Sequence, residues 1–474
     1  MPGFNDAHVH LASAGREKLT IDLVGTKSLT EMQQRIANAA KLAPVGTWLR
    51  GRGWDHTLWF SGILPTRRNL DVATGDHPAI FVRVDGHIAV ANSEALRLAG
   101  ITSTTRDPSG GKIDRDTDGQ PTGIVRETAV DLIYNKVPVP SRQERRQALE
   151  LAIQDAVAHG ITSAQDNSSW DDFLVYEEME RDGKLPLRIS EWLMFLDPLP
   201  VLESQRAHHP SNDPMLHTGM LKGFMDGSLG SRTAALNAPY SDDPGNSGIP
   251  QFDQETLNCM TVERAKAGFQ IGFHAIGDHA VKMALNAFVV AEGAVPNSMG
   301  YRFRIEHAQV VDPHDFVRFQ WLSVIASMQP NHLLTDMNWA KDRIGAERAK
   351  NSYPWKAFVD RGVVLAFGTD YPVEPVTPFR GIYAAITRKS EDGTKTYYPE
   401  QVLTIGQALY AYTQASAFAE DMETKKGKLV RGQFADFVVL DRDLLKANPQ
   451  EILKTRVLRT VVGGRSVFRA DTGQ

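Results

Sequence analysis

The run Ser141-Arg142-Gln143-Glu144, continued through Leu149, Ala152, Ile153, Ala156 and Val157 to Gly160 and then Ile161-Thr162-Ser163-Ala164, decides the fold. Ser141 and Glu144 have the spacing of a capping box, in which hydroxyl and carboxylate each satisfy a free backbone N–H. The apolar residues recur at helical spacing, Gly160 can end the helix in a left-handed turn, and Ile161-Thr162 opens a short strand. The same rhythm returns downstream. Residues 255–266 predict a helix stopped by Gly268, and Phe269-Gln270-Ile271-Gly272-Phe273 predicts a strand ending at His274. Asp278 is placed to cap the next helix, through Val281, Ala284 and Phe288. Residues 302–305, 323–328 and 363–367 are further strand candidates. Helices alternating with short buried strands predict an α/β protein with a parallel sheet. The count and length favour a closed (β/α)8 TIM barrel, assigned to residues 1–426.

Two regions break the rhythm. Residues from about 50 to 135 are rich in Trp, Gly, Pro, Asp and Thr, and read as a large insertion on the catalytic face, a lid or substrate wall. From 427 to 474 the pattern turns to alternating β. Phe434-Ala435-Asp436-Phe437-Val438-Val439-Leu440-Asp441 is one strand, and residues 458–462 with 466–468 form a hairpin around Gly463-Gly464. This reads as a small C-terminal β portion. The other end is equally spare, since only Met1-Pro2-Gly3-Phe4-Asn5-Asp6-Ala7 precedes His8. That is little apolar material for a first barrel strand, and it suggests that residues upstream of Met1 are missing. The expected consequence is an exposed sheet edge and a tendency to aggregate or pair with a second chain, so a homo-oligomer is expected.

Composition excludes several classes. Hydrophobic content of 42% supports a large core, and a net charge of −5 gives no reason to expect nucleic acid or an anionic membrane as partner. No stretch is long and apolar enough to span a bilayer. The lone Cys259 rules out an internal disulfide and fits a reducing, cytoplasmic compartment. Its neighbours Leu257, Met260 and Val262 make it a structural thiol rather than a nucleophile.

Function enters through a series of side chains that close β-prone runs. His8 and His10 alternate in Asp6-Ala7-His8-Val9-His10, and 14 histidines in 474 residues give roughly 0.4 such pairs by chance, so the pair alone is weak. Lys222, His274, His307 and Asp370 then follow, each after a short apolar run, where residues stand on the catalytic rim of a barrel. Imidazoles and carboxylates suit zinc and similar divalent ions. Alternation on one strand turns His8 and His10 to the same side, able to grip one metal, while His274 and His307 could hold a second. Asp370 could bind through one oxygen and exchange a proton through the other. Lys222 is anomalous, because an ammonium group cannot ligate until it loses its proton.

With these residues in view, the chain resembles the amidohydrolase superfamily, in the amidohydrolase family 3 branch that includes N-substituted formamide deformylase-like proteins. The resemblance covers nearly the whole chain. It rests on the run from Pro2 to His10 and on Lys222-Gly223-Phe224-Met225-Asp226-Gly227-Ser228-Leu229-Gly230-Ser231-Arg232-Thr233-Ala234. It also rests on His274-Ala275-Ile276-Gly277-Asp278, Glu306-His307, Gly368-Thr369-Asp370-Tyr371-Pro372 and the ending Ala435-Asp436-Phe437-Val438-Val439-Leu440-Asp441 with Val462-Gly463-Gly464. It implies two divalent ions, usually zinc, one held by His8 and His10 and the other by His274 and His307. Lys222, carboxylated by CO₂ to a carbamate, would bridge them, and Asp370 would complete the site. Without the carbamate, the implied form is a single-metal site at His8, His10, His274 and Asp370. The resemblance also implies that residues 427–474 are part of a C-terminal β-sandwich, small and incomplete here.

The expected reaction is hydrolysis of a C–N bond in a non-peptide small molecule, with Asp370 as proton shuttle. Asp6, Glu306 and Asp226 are candidates to orient the imidazoles. His332, in Gln329-Pro330-Asn331-His332, is a second catalytic candidate, able to hold a developing oxyanion. Trp54, Arg83 and His87 are candidates for the substrate pocket, His87 in a run that resembles a family motif. Gly227, Ser228, Gly230 and Arg232 read as a tight loop shaping the site, because no P-loop spacing accompanies them. His208 and His209 read as solvated loop residues. Two rivals stay open: a mononuclear deaminase or esterase on the same barrel, and a non-catalytic relative that binds a metal or small molecule.

Overall fold

The computed structural model describes residues 1–83, 88–108, 111–296 and 298–471. The chain divides into two compact units, one of residues 1–14 with 149–474 and the other of residues 15–148.

The first unit is the barrel. Eight strands follow one another in chain order: β1 (Phe4–Val9), β2 (Ile161–Asp166), β3 (Arg188–Met194), β4 (Leu216–Phe224), β5 (Ile271–Ala275), β6 (Arg304–His307), β7 (Ile325–Met328) and β8 (Leu365–Phe367). All seven neighbouring pairs are parallel. The ring closes where Val9 bridges Tyr371 in parallel and the Asp370 N–H donates to His8 O at 2.8 Å. The chain is therefore a (β/α)8 TIM barrel. The first strand forms despite its meagre lead, and all six of its residues are buried.

Local signals worked as expected at the capping box. The Ser141 N–H donates to Glu144 Oε2 at 2.7 Å and the Glu144 N–H to Ser141 Oγ at 3.3 Å, heading a helix over Arg142–Ala158. Gly160 then takes φ +84°, open to glycine without strain. Asp278 differs from expectation. Gly277 caps Asp278–Ala294, and the Asp278 carboxylate instead accepts the Asn237 N–H at 2.9 Å. Cys259 also departs: it is exposed on the outer face of Gln254–Lys266, because Leu257 and not Cys259 turns inward.

The C-terminal residues form one three-stranded antiparallel sheet, β9 (Phe437–Leu440), β10 (Val457–Val462) and β11 (Arg465–Arg469). Met1–Gly3 lie along its β9 edge: Pro2 bridges Phe437, and the Val438 N–H donates to Met1 O at 3.0 Å. A buried ion pair, Arg188 Nε to Asp436 Oδ2 at 2.6 Å, ties this sheet to β3.

The second unit has its own six-stranded mixed sheet, in the spatial order Ile21–Asp22, Leu49–Trp54, Ala79–Arg83, Ile88–Ala91, Pro121–Glu127, Gly111–Arg115. Helices Leu29–Ala40 and Arg67–Thr74 cover it through Met32, Ile36 and Leu70, all fully buried. The segment read as an insertion is thus a folded body rather than a long loop.

Candidate metal centre

At the C-terminal ends of the barrel strands lies a cavity of about 360 Å³ lined by His8, His10, Lys222, His274, His307, His332 and Asp370. Each comes from a different place in the ring. His8 is the fifth residue of β1 and His10 stands just beyond it, Lys222 is on β4, His274 on β5 and His307 ends β6. Asp370 lies three residues past β8, and His332 is the second residue of the short helix Asn331–Asp336 that follows β7. His307 at φ +74° and Asp370 at φ +59° both occupy the left-handed region, a conformation non-glycine residues hold only where their surroundings enforce it.

The distances are short. His10 Nε2 stands 3.0 Å from Asp370 Oδ1 and His8 Nε2 stands 3.6 Å from it. Lys222 Nζ is 3.2 Å from His8 Nε2. The rings of His8 and His307 are 4.9 Å apart, and those of His274 and His307 4.5 Å. Ligand atoms of His8, His307 and Asp370 all lie within 4.8 Å of one another. His274 directs Nε2 to Gly227 O at 3.0 Å, a contact that a metal bound at Nε2 would replace.

Charge in the cavity is unbalanced. Burial and the Lys222 ammonium push His8 well below the usual imidazole range, burial and His274 do the same to His307, and burial takes His274 to about 4. These imidazoles are neutral at pH 7, the form that ligates. Burial alone would raise Asp370, but His8, His10 and His332 outweigh it and hold the carboxyl well below its usual range. Burial lowers Lys222 to about 8. Among the described residues no carboxylate lies within ion-pair distance of its Nζ, which instead sits 5.0 Å from the ring centroids of Trp192 and Phe224. The Nδ1 of His307 is buried without a hydrogen-bond partner among the described residues. Neutral imidazoles, an ionised carboxylate, an orphaned ring nitrogen and a readily deprotonated amine fit a divalent first-row ion.

Supporting groups hold these donors. His8 Nδ1 lies 2.7 Å from Glu306 Oε2, whose other oxygen accepts from Arg304 Nε at 2.8 Å. Arg304, wholly buried, also donates to Ala7 O and Ser327 Oγ, each at 2.9 Å. Asp6 holds backbone rather than a ring: it accepts from the Thr369 N–H at 2.8 Å, Thr369 Oγ1 at 2.6 Å and the His8 N–H at 3.2 Å. Asp226 accepts from the Ala235, Ile276 and Gly277 N–H groups at 2.9, 3.0 and 2.8 Å, and its Oδ1 is 3.5 Å from His274 Nε2. His332 Nε2 lies 3.0 Å from Asp370 Oδ2; burial would lower it, but Asp370 raises it to about 9. Sequence reading missed the support behind His10. Its Nδ1 meets Asn167 O at 3.2 Å, and the neighbouring Asp166 accepts from the Leu11 N–H, Ser168 Oγ and Tyr176 Oη, each at 2.7 Å. The only available signal was Asp166-Asn167 closing a strand, the position already noted for the other site residues.

The loop after β4 shapes one wall through Ser228, Leu229 and Gly230, with Phe224, Trp339 and Val373 supplying apolar surface. A side chain at Gly227 would meet Thr233 Oγ1 at 2.0 Å, so only glycine fits there. Two of the substrate-pocket candidates, Trp54 and Arg83, belong to the other unit. Trp54 is fully buried in that unit's core, its indole N–H donating to Phe81 O at 2.8 Å, so it presents no surface to a substrate. Arg83 is paired with Asp55 at 2.6 Å. His87 lies outside the described residues.

A parallel barrel whose mouth gathers neutral imidazoles, a carboxylate and a buried amine has the makings of a metal-dependent hydrolase. The chain matches the Amidohydrolase family over residues 1–468 and belongs to that family. It is 35% identical over 486 residues to the protein LONG AFTER FAR-RED 3 of Arabidopsis thaliana, covering 99% of this chain and 82% of that one. It is 24% identical over 481 residues to N-substituted formamide deformylase of Arthrobacter pascens, covering 98% and 87%. Among solved structures, an uncharacterized metal-dependent hydrolase from Pyrococcus horikoshii OT3 is 31% identical with a TM-score of 0.79, covering 95% of this chain and 87% of that one.

Proposed function

We propose that this protein hydrolyses a C–N bond of a non-peptide small molecule at the cavity described above. The carrying observation is the convergence of His8, His307 and Asp370 ligand atoms within 4.8 Å beside the buried Lys222. Similarity to a formamide deformylase supports the choice of bond. His8, His10, His274, His307 and Asp370 would hold two divalent ions, zinc by donor type, with Lys222 carboxylated to a bridging carbamate. Carboxylation removes an unpaired buried cation and replaces it with an anion that offsets metal charge.

Bound ions would supply Lewis acidity and lower the pKa of a water in the site. Asp370 takes the proton released when that water's oxygen adds to the substrate carbonyl carbon, and passes it to the nitrogen as the C–N bond breaks. The amine then leaves neutral. His332 keeps the Asp370 carboxylate aimed through its 3.0 Å contact and, as an imidazolium, offers positive charge to the oxygen of the addition intermediate. Phe224, Leu229, Trp339 and Val373 exclude water around an apolar substrate portion.

A one-ion reading, as deaminase or esterase with the metal at His8, His10, His274 and Asp370, is favoured by Asp370 Oδ1 lying 3.0 Å from His10 Nε2 and 3.6 Å from His8 Nε2. Metal counting decides between them: two ions per chain with a CO₂ adduct on Lys222 supports the first reading, and one ion with free Lys222 the second. Turnover of a panel of amides, lactams, esters and aminated heterocycles by the metal-loaded protein tests catalysis itself. Failure on every member would leave a binding protein. The single cysteine fits our placement in the cytoplasm, and we expect the protein there free or as a homo-oligomer. Among the described residues no helix is long and apolar enough to cross a membrane.

A further inference from the structure

We propose that Glu180, His209 and Asp213 form a separate divalent-cation site, at the opposite ends of the barrel strands from the cavity. Helix Trp170–Arg181 presents Glu177 and Glu180 one turn apart on one face. The loop 209–213 follows helix Leu199–His208 and leads into β4 at Leu216, six residues before Lys222. The sequence suggested a solvated loop, but the His209 side chain is only 10% exposed. Phe173 packs edge-on against its ring at 5.7 Å.

Glu177 Oε1 lies 2.8 Å from His209 Nδ1, which orients the imidazole from behind. The opposite nitrogen, Nε2, is buried with no hydrogen-bond partner among the described residues. It points between Glu180 Oε2 at 3.7 Å and Asp213 Oδ2 at 3.6 Å, too far for hydrogen bonds. Asp213 Oδ1 accepts the Met215 and Leu216 N–H groups at 2.7 and 3.2 Å, and the Asp213 and Glu180 carboxyls share a hydrogen bond whose proton a bound cation would displace. Among the described residues no Lys or Arg is ion-paired with Glu177, Glu180 or Asp213.

Metal bonds of about 2.1 Å at a tetrahedral angle separate their ligand atoms by about 3.4 Å, close to the gaps seen here. A carboxylate bound to the far nitrogen of a ligating imidazole is the usual support of such sites. One nitrogen and two carboxylate oxygens select zinc or a similar first-row ion over calcium, which takes six to eight oxygens. Bound there, the ion would cross-link helix Trp170–Arg181 to the loop that launches β4. Its role is stability, since nothing in the cluster reaches the cavity.

The test is to load the full-length protein with ZnCl₂, remove unbound metal, and count zinc per chain for wild type, His209→Gln and Glu180→Gln. Each variant should hold one ion fewer than wild type and show a smaller rise in Tm on zinc addition. Glu180→Gln keeps the Glu177–His209 pair, so it decides if the other variant fails to fold. An anomalous scattering peak between the three side chains in wild-type crystals would be independent support. Equal zinc content in all three proteins, or crystals soaked in zinc with no peak there, would overturn the proposal. Because the readout is a difference in ion count, it stands apart from whatever the barrel cavity binds.

Discussion

His8 and Glu306 are locked together at the centre of the barrel, with Nδ1 2.7 Å from Oε2 and neither side chain exposed. The contact fixes the ring's orientation and leaves Nε2 facing the cavity. Replacing Glu306 by Gln keeps the shape but removes the anion that makes His8 a stronger donor. We expect metal affinity to fall by about 10- to 100-fold with the fold intact. Competition against a chelator of known affinity measures this, and unchanged affinity would show that Glu306 serves packing alone.

Arg304 neutralises Glu306 from the other side, so Arg304→Met would leave a buried carboxylate uncompensated. The expected loss is roughly 3–5 kcal/mol of stability, seen as a large drop in Tm. A drop no larger than that of an ordinary surface substitution would contradict the ion-pair account.

Metal removal should abolish hydrolysis, and zinc alone should restore less activity than zinc with bicarbonate, because Lys222 needs CO₂ to become an anion. Lys222→Ala should bind fewer ions and gain nothing from bicarbonate. Intact-mass comparison of the reconstituted proteins checks the adduct directly.

Asp370→Asn should lower kcat by about 10²–10⁴, the range for loss of a positioned proton carrier. His332→Gln should cost about 10²–10³ in kcat, with KM changed little, if its charge acts on the transition state. A change confined to KM would place His332 in substrate binding instead.

Glu292 supplies a pH test remote from any metal. Burial raises its pKa from 4.5 to about 7, and its Oε1 is buried without a partner among the described residues. The folded state therefore binds a proton more tightly than the unfolded one. The stability from this site is fully present below 4.5 and is lost as pH rises through about 7. Glu292→Gln should raise Tm by roughly 1–2 °C at pH 8 and leave it unchanged near pH 4.5. Equal effects at both pH values would rule out titration as the cause.

Much of this architecture was legible in the residues themselves. The capping box at Ser141, the stop at Gly160 and the short strands that carry or precede His274, His307 and Asp370 are local signals, set by backbone hydrogen bonding and side-chain period, and they appear close to where the sequence places them. The same local logic gave the barrel class and the list of polar residues on its rim. It failed where the deciding contact is distant. Cys259 and His209 exchanged their expected surroundings, because which face of a helix or loop is covered depends on what packs against it. Trp54 looked like a pocket residue and is core, since the inserted unit builds a sheet that composition alone does not announce. The support of His10 by Asn167, and of the following Leu11 by Asp166, spans more than 150 positions, and no spacing rule reaches so far. Sequence thus determined which donors this chain carries and the order of its strands. Only the closed ring decided which donors meet, how each ring is held and which charges go unpaired, because those depend on burial and on neighbours brought from remote segments.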